Sequence, residues 1–217
     1  MGWVGDLQGE IMNFEYVPKE EYQPVKEDLE TLIHEVQDLV RNYFTFSYEF
    51  IGSSSRNMIT RQVDGNIGYD FDVNIRVNDD DEEYEPKEIK HILIKAFNKV
   101  VRYHNYTYCE DSTRVITIKT INYFQSRIIH SCDFCIVYDC DNERQQYIRF
   151  NKGQGSYTWE YQPSGYKLKE KEEKIKKNRR WSDVRDLYLY KKCNNTEEKK
   201  SRSLYAETIN EIYNSIQ

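Results

Sequence analysis

From about Pro24 to Arg41, apolar residues fall at Val25, Leu29, Leu32, Ile33, Val36, Leu39 and Val40. That spacing puts them on one face and predicts an amphipathic helix. Pro24 suits a first helical turn, where its missing N–H costs nothing. The period then changes to two. Phe44, Phe46, Tyr48 and Phe50 alternate with Thr45, Ser47 and Glu49, which predicts a strand ending at Gly52. A second strand is expected over Tyr69–Val77, with Tyr69, Phe71, Val73 and Ile75 on one face and Asp70, Asp72 and Asn74 on the other. After an acidic loop, Asn78 to Glu85, Pro86 opens a helix whose apolar face is Ile89, Ile92, Leu93, Ala96, Phe97, Val100 and Val101.

Further strands are expected near Arg114–Asn122, His130–Tyr138 and Gln145–Phe150, with a turn at Asp139 to Glu143. Gly153, Gly155, Pro163 and Gly165 mark an irregular segment. A charged helix should follow from about Lys167 to Lys192, then a short amphipathic one carrying Leu204, Thr208, Ile209, Ile212, Tyr213 and Ile216. Helix, strand, strand, helix, a run of strands and closing helices predict an α+β fold, a mixed sheet with flanking helices. The expected division is a core, residues 1–152, and a C-terminal helical segment packed on it, residues 153–217.

The chain has 217 residues, enough to bury a core without disulfides or metals as staples. No run approaches the roughly 20 apolar residues of a membrane span, and the first ten residues lack the pattern of a secretory signal. A cytoplasmic location is the resulting expectation. Nineteen tyrosines are unusual; they fit a nucleic-acid surface, but the default is the codon usage of an AT-rich genome. The five cysteines, with no signal, point to reduced thiols. His130, Cys132 and Cys135 form an H-x-C-x-x-C string, but in a strand Cys135 faces away from the other two, which disfavours one tetrahedral zinc site.

Charge is uneven. Residues 167–202 carry fourteen lysines and arginines against seven acids, a net of +7, whereas residues 1–166 carry seventeen against twenty-eight, a net of −11. An acidic body with a basic segment fits a phosphate-bearing partner, and equally fits a solvated charged helix.

The candidate chemistry lies in the second strand. Asp70 and Asp72 are two apart, so both carboxylates point to one side with Cα atoms roughly 6.5–7 Å apart. Like charges held that close repel unless a cation or a proton intervenes. Upstream, an apolar strand ends in Gly52-Ser53-Ser54-Ser55-Arg56; glycine there lets the backbone approach a ligand, and hydroxyls and N–H groups can hold phosphate oxygens. Downstream, Asp133 sits in the apolar string Cys132-Asp133-Phe134-Cys135-Ile136-Val137, a costly place for a carboxylate without a partner or a metal. Asp139 and Asp141 compete for the same role, but turn geometry accounts for acids there.

These three elements, Phe50-Ile51-Gly52-Ser53, Tyr69-Asp70-Phe71-Asp72-Val73 and Cys132-Asp133-Phe134, resemble the polymerase-beta-like nucleotidyltransferase superfamily over about residues 24–138. The gaps of 17 residues from Ser53 to Asp70 and 61 from Asp72 to Asp133 look more like the oligoadenylate synthetases and bacterial cyclic-oligonucleotide synthases than the minimal antibiotic-modifying type. The C-terminal part is short for those enzymes.

The resemblance implies transfer of a nucleoside monophosphate from a nucleoside triphosphate to a hydroxyl, with pyrophosphate release. It implies two Mg²⁺ ions, or Mn²⁺, on Asp70, Asp72 and Asp133, with Asp133 also helping to deprotonate the attacking hydroxyl. Gly52 and Ser53 would hold phosphates, with Ser54, Ser55 and Arg56 as further candidates, and Lys177, Arg179 and Arg180 are candidates to neutralise the triphosphate. The acceptor is left open among a nucleotide, RNA, a protein and a small molecule. The alternative is a catalytically inactive protein of the same fold that binds a nucleotide or nucleic acid. A nuclease would use the acids but leave the Gly-Ser turn unexplained. No histidine is paired with a nucleophile in the pattern of a hydrolase.

Overall fold

The computed structural model describes residues 12–79, 82–140, 144–163 and 168–216. In chain order the elements are β1 (Phe14–Tyr16), α1 (Lys19–Val40), β2 (Thr45–Ile51), β3 (Thr60–Gln62), β4 (Ile67–Asn78), α2 (Pro86–Val100), β5 (Glu110–Asp111), β6 (Ile116–Asn122), β7 (Arg127–Asp139), β8 (Gln145–Asn151), β9 (Ser156–Tyr161), α3 (Leu168–Lys177), α4 (Trp181–Cys193) and α5 (Ser201–Asn214). They fall into two compact units, Val17–Ser164 and Met1–Tyr16 with Gly165–Gln217.

In the larger unit, seven strands form a mixed sheet ordered β2–β4–β7–β6–β5, with β8 on β7 and β9 on β8. The central pair, β4 and β7, is parallel; β2 runs antiparallel to β4, and β6 antiparallel to β7. One sheet face carries Phe71, Val73, Ile75, Cys132, Phe134 and Ile136, all buried. They join one core cluster with Leu29, Leu32, Ile33 and Val36 of α1 and Ile89, Leu93 and Phe97 of α2. Phe97 packs on Phe134 as a tilted pair with ring centroids 4.5 Å apart. Leu39, on the apolar stripe by spacing, is instead exposed.

Helix α1 starts at Lys19 rather than Pro24, which stands inside it. The proline removes a backbone hydrogen bond, but the extra turn buries Tyr22, whose ring packs edge-on to Phe71 and whose hydroxyl donates to Asn57 Oδ1 at 2.8 Å. Tertiary contact outweighs local propensity there. Pro86 does open α2, behind a reciprocal capping box between Glu85 and Glu88.

Two more departures follow from single residues. The segment expected to be irregular contains β9, which pairs with β8 through a turn ending at Gly155, at φ +64°. The glycines mark that turn, and Tyr157, Trp159 and Tyr161 alternate beyond it as strand residues. The expected long charged helix is two helices, α3 and α4. Arg179 takes a left-handed φ of 56°, and Arg180 N–H donates back to the Ile175 carbonyl at 3.1 Å, a Schellman-type stop. Gly165, Lys167 and Asp141 lie outside the described residues.

In the smaller unit, Ile175 of α3, Val184 and Tyr188 of α4 and Leu204, Tyr205, Ile209 and Ile212 of α5 are buried. Tyr16 of β1 donates its hydroxyl to the Arg185 carbonyl at 2.7 Å. Among the described residues no helix is long and apolar enough to cross a membrane.

Candidate metal centre

The side of the sheet opposite the core is built by the alternate residues of the same strands. In the parallel register of β4 and β7, Asp72 stands beside Asp133 and Asp70 beside Ser131. In the antiparallel register of β7 and β6, Asp133 stands beside Thr117 and Ser131 beside Lys119. Asp70, Asp72 and Asp133 converge: each offers a carboxylate oxygen, and these atoms lie within 4.8 Å of one another. Among the described residues no other His, Cys, Asp or Glu trio is that close, and this one could hold a metal ion.

The electrostatics follow from that crowding. Burial, then the charges of Asp133 and Asp72, push the Asp70 carboxyl up to about 8, against hydrogen bonds from Ser131 and the Phe71 N–H. Burial and Asp133 push Asp72 up to about 6, partly offset by the Arg56 guanidinium. Burial raises Asp133 as well, opposed by the Thr117 hydrogen bond and by Lys119. Three half-buried acids that resist ionisation together are a site that gains from a bound cation.

Two hydroxyls lock two of the acids. Ser131 Oγ donates to Asp70 Oδ1 at 2.8 Å, and Thr117 Oγ1 donates to Asp133 Oδ1 at 2.5 Å. Lys119 is held by both oxygens of Glu110 at 2.7 Å. None of Ser131, Thr117, Lys119 or Glu110 is marked by the sequence motifs. The signal was alternation: Ser131 lies two before Asp133, and Thr117 and Lys119 alternate with Ile116 and Ile118.

Gly52 follows β2, whose Ile51 pairs with Asp72. Its φ is +66°, and a Cβ there would fall 2.3 Å from Asp72 Oδ2. Only glycine combines that conformation with that approach. The Ser53 carbonyl accepts the N–H groups of Arg56 and Met58 at 3.2 and 2.9 Å. Ser54 is buried and donates its hydroxyl to the Ile51 carbonyl at 2.9 Å. Ser55 Oγ and Arg56 Nη1 both donate to the Gly52 carbonyl, at 3.0 and 2.8 Å. The turn is thus strapped by its own side chains.

Asp139 lies at the far end of β7, paired with Arg76 Nε at 3.1 Å and accepting from Gln145 Nε2 at 2.6 Å. His130 and Cys132 are buried on the core side, and Cys135 faces the other way. The five cysteines are free thiols.

No protein-family model matches the chain, and no curated protein matches it. Solved structures do. Vibrio cholerae DncV, a cyclic AMP-GMP synthase described as a prokaryotic cGAS homolog, superposes with a TM-score of 0.62 at 13% identity, over 95% of this chain and 69% of that one. The Escherichia coli DncV bound to 3'-deoxy GTP gives 0.55 at 17% identity, over 91% and 54%. The Bradyrhizobium diazoefficiens CD-NTase CdnG in complex with GTP gives 0.53 at 12%, over 73% and 43%. The chain spans about half the length of the last two. Likeness at this identity shows the fold alone: the chain shares the α+β architecture of these structures.

Proposed function

We propose that the chain is a Mg²⁺-dependent nucleotidyltransferase that moves a nucleoside monophosphate from a nucleoside triphosphate, ATP or GTP, to a hydroxyl acceptor. The convergence of Asp70, Asp72 and Asp133 beside the Gly52 turn carries this reading. An all-carboxylate donor set suits a hard cation. Asp70, Asp72 and Asp133 would hold two Mg²⁺ ions, with Mn²⁺ as a substitute. When bound, such ions stabilise the attacking and leaving oxygens of an in-line displacement.

The chain's own residues supply the rest. Asp133, raised by burial, takes the proton of the acceptor hydroxyl. The hydroxyl oxygen bonds to the α-phosphorus, the bond from that phosphorus to the bridging oxygen breaks, and pyrophosphate leaves. Gly52 and Ser53 hold the β and γ phosphates by close backbone approach. The hydroxyls of Ser54 and Ser55 donate to main-chain carbonyls, and Arg56 Nη1 does the same to Gly52; Arg56 is the stronger side-chain candidate in the turn because its guanidinium carries a positive charge close to Asp72. Lys177, Arg179 and Arg180, the cations named from the sequence for the triphosphate, belong to the smaller unit, where Arg180 is tied to Asp183. Since DncV is a cyclic AMP-GMP synthase, a second nucleotide is the acceptor to test first.

The test is pyrophosphate release from labelled ATP and GTP with Mg²⁺, for the wild type and for Asp70→Asn with Asp72→Asn. The double variant should lose about 10³-fold or more of the rate, the scale of removing preorganised charge from an active site. Wild-type protein that binds triphosphate without releasing pyrophosphate would instead establish the inactive nucleotide-binding alternative.

A further inference from the structure

The geometry points to Ser131 and Thr117 as positioning residues that aim the Asp70 and Asp133 carboxylates at a bound divalent cation. This rests on the metal-binding reading above and extends it to two side chains that would not touch the ion.

The sheet itself enforces both contacts. β7 presents Ser131 and Asp133 on one face, two residues apart, and uses them in opposite directions. Ser131 reaches across the parallel pairing to Asp70 on β4, its register partner. Asp133 receives Thr117 across the antiparallel pairing from β6, again its register partner. Each hydroxyl therefore sits on a regular strand, not on a loop. Each takes a single oxygen, Oδ1, of its carboxylate. A carboxylate accepts at both oxygens, so fixing one through a short hydrogen bond sets the plane in which the other is offered. Outer hydrogen bonds of this kind orient ligands before the ion arrives, and losing one weakens metal affinity by about 10–100-fold. Asp72 is confined by a different device: the main chain of Gly52 lies too close to Asp72 Oδ2 for even a methyl group to intervene.

A purely structural role for the hydroxyls makes a different forecast. Removing them would then lower thermal stability and leave cation affinity unchanged. The two roles separate in a titration of the full chain with Mn²⁺ alone, by calorimetry or by the electron paramagnetic resonance of free Mn²⁺, with a melting curve for each variant. Ser131→Ala and Thr117→Val delete the hydroxyls with little change of volume. Each should weaken Mn²⁺ binding by about 10–100-fold, while Ser131→Thr and Thr117→Ser, which keep the hydroxyl, should bind nearly as the wild type does. Thr120→Val provides a control on β6, because the Thr120 hydroxyl donates to the Asn105 carbonyl and not to an acid; its Mn²⁺ affinity should stay at the wild-type value. Wild-type affinity in Ser131→Ala and Thr117→Val overturns the positioning role and leaves the metal reading standing. An equal loss in Thr120→Val also overturns it, by showing a general strand effect. Failure of the wild type to bind Mn²⁺ at all removes the metal reading, and the positioning role with it.

Discussion

The two faces of β4 and β7 are made by alternate residues of the same strands, yet they are under opposite energetic demands. On one face Phe71, Val73, Cys132 and Phe134 are fully buried and pack into the core. On the other, Asp70, Asp72 and Asp133 are half-buried and pressed together, and their carboxyls are held above the usual range. The first face stabilises the fold by removing apolar surface from water. The second costs stability until a cation arrives. A one-residue slip in register would exchange the two faces, so the packing of the apolar side is also what aims the acids. Strain at the candidate site is tolerated because the opposite side of the same strands is well packed.

This contrast can be attacked from either face. The largest stability effect belongs to the core. Phe71→Ala should cost about 3–5 kcal/mol and lower the melting temperature by roughly 10 °C; a much smaller loss would mean that the apolar face does not anchor β4. His130 is the histidine on the core face of β7, and burial pulls its pKa down to about 4. The folded chain resists protonating it, so its contribution is complete above about 6.5 and is lost as pH falls toward 4. That loss is on the order of 3 kcal/mol. Chemical denaturation at pH 7 and at pH 4.5 should show a smaller drop for His130→Asn than for the wild type. A smaller effect belongs to the turn. Gly52→Ala places a Cβ at a left-handed φ, about 1–2 kcal/mol of strain, and pushes on Asp72. Its Mn²⁺ affinity should fall further than its stability does, and an unchanged affinity would detach the glycine from the metal site.

The same contrast explains what could be read from the sequence. Alternation at Phe44–Phe50 and Tyr69–Val77 assigned β2 and β4 and put Asp70 and Asp72 on one side, because strand periodicity is local. The Pro86 helix start was legible for the same reason. Partners across strands were not. That Ser131 meets Asp70, and Thr117 meets Asp133, depends on a register set by tertiary packing. The glycines before β9 mark a hairpin turn, and the halt at Arg179 uses a left-handed residue that is not glycine, so neither carried an unambiguous local signal. The serines after Gly52 read as phosphate ligands by type, whereas the Ser54 and Ser55 hydroxyls close on the turn's own carbonyls.

Melting the metal-free chain in EDTA and again with increasing Mn²⁺, for the wild type and for Asp70→Asn with Asp72→Asn, addresses the acid face most directly. Neutralising two crowded carboxylates should raise the metal-free melting temperature above that of the wild type. Mn²⁺ should then stabilise only the wild type, by about 2.7 kcal/mol at a hundred times its dissociation constant, or roughly 5–10 °C. A wild type that is indifferent to Mn²⁺, or a double variant that responds equally, would contradict the assignment of Asp70, Asp72 and Asp133 as a cation site.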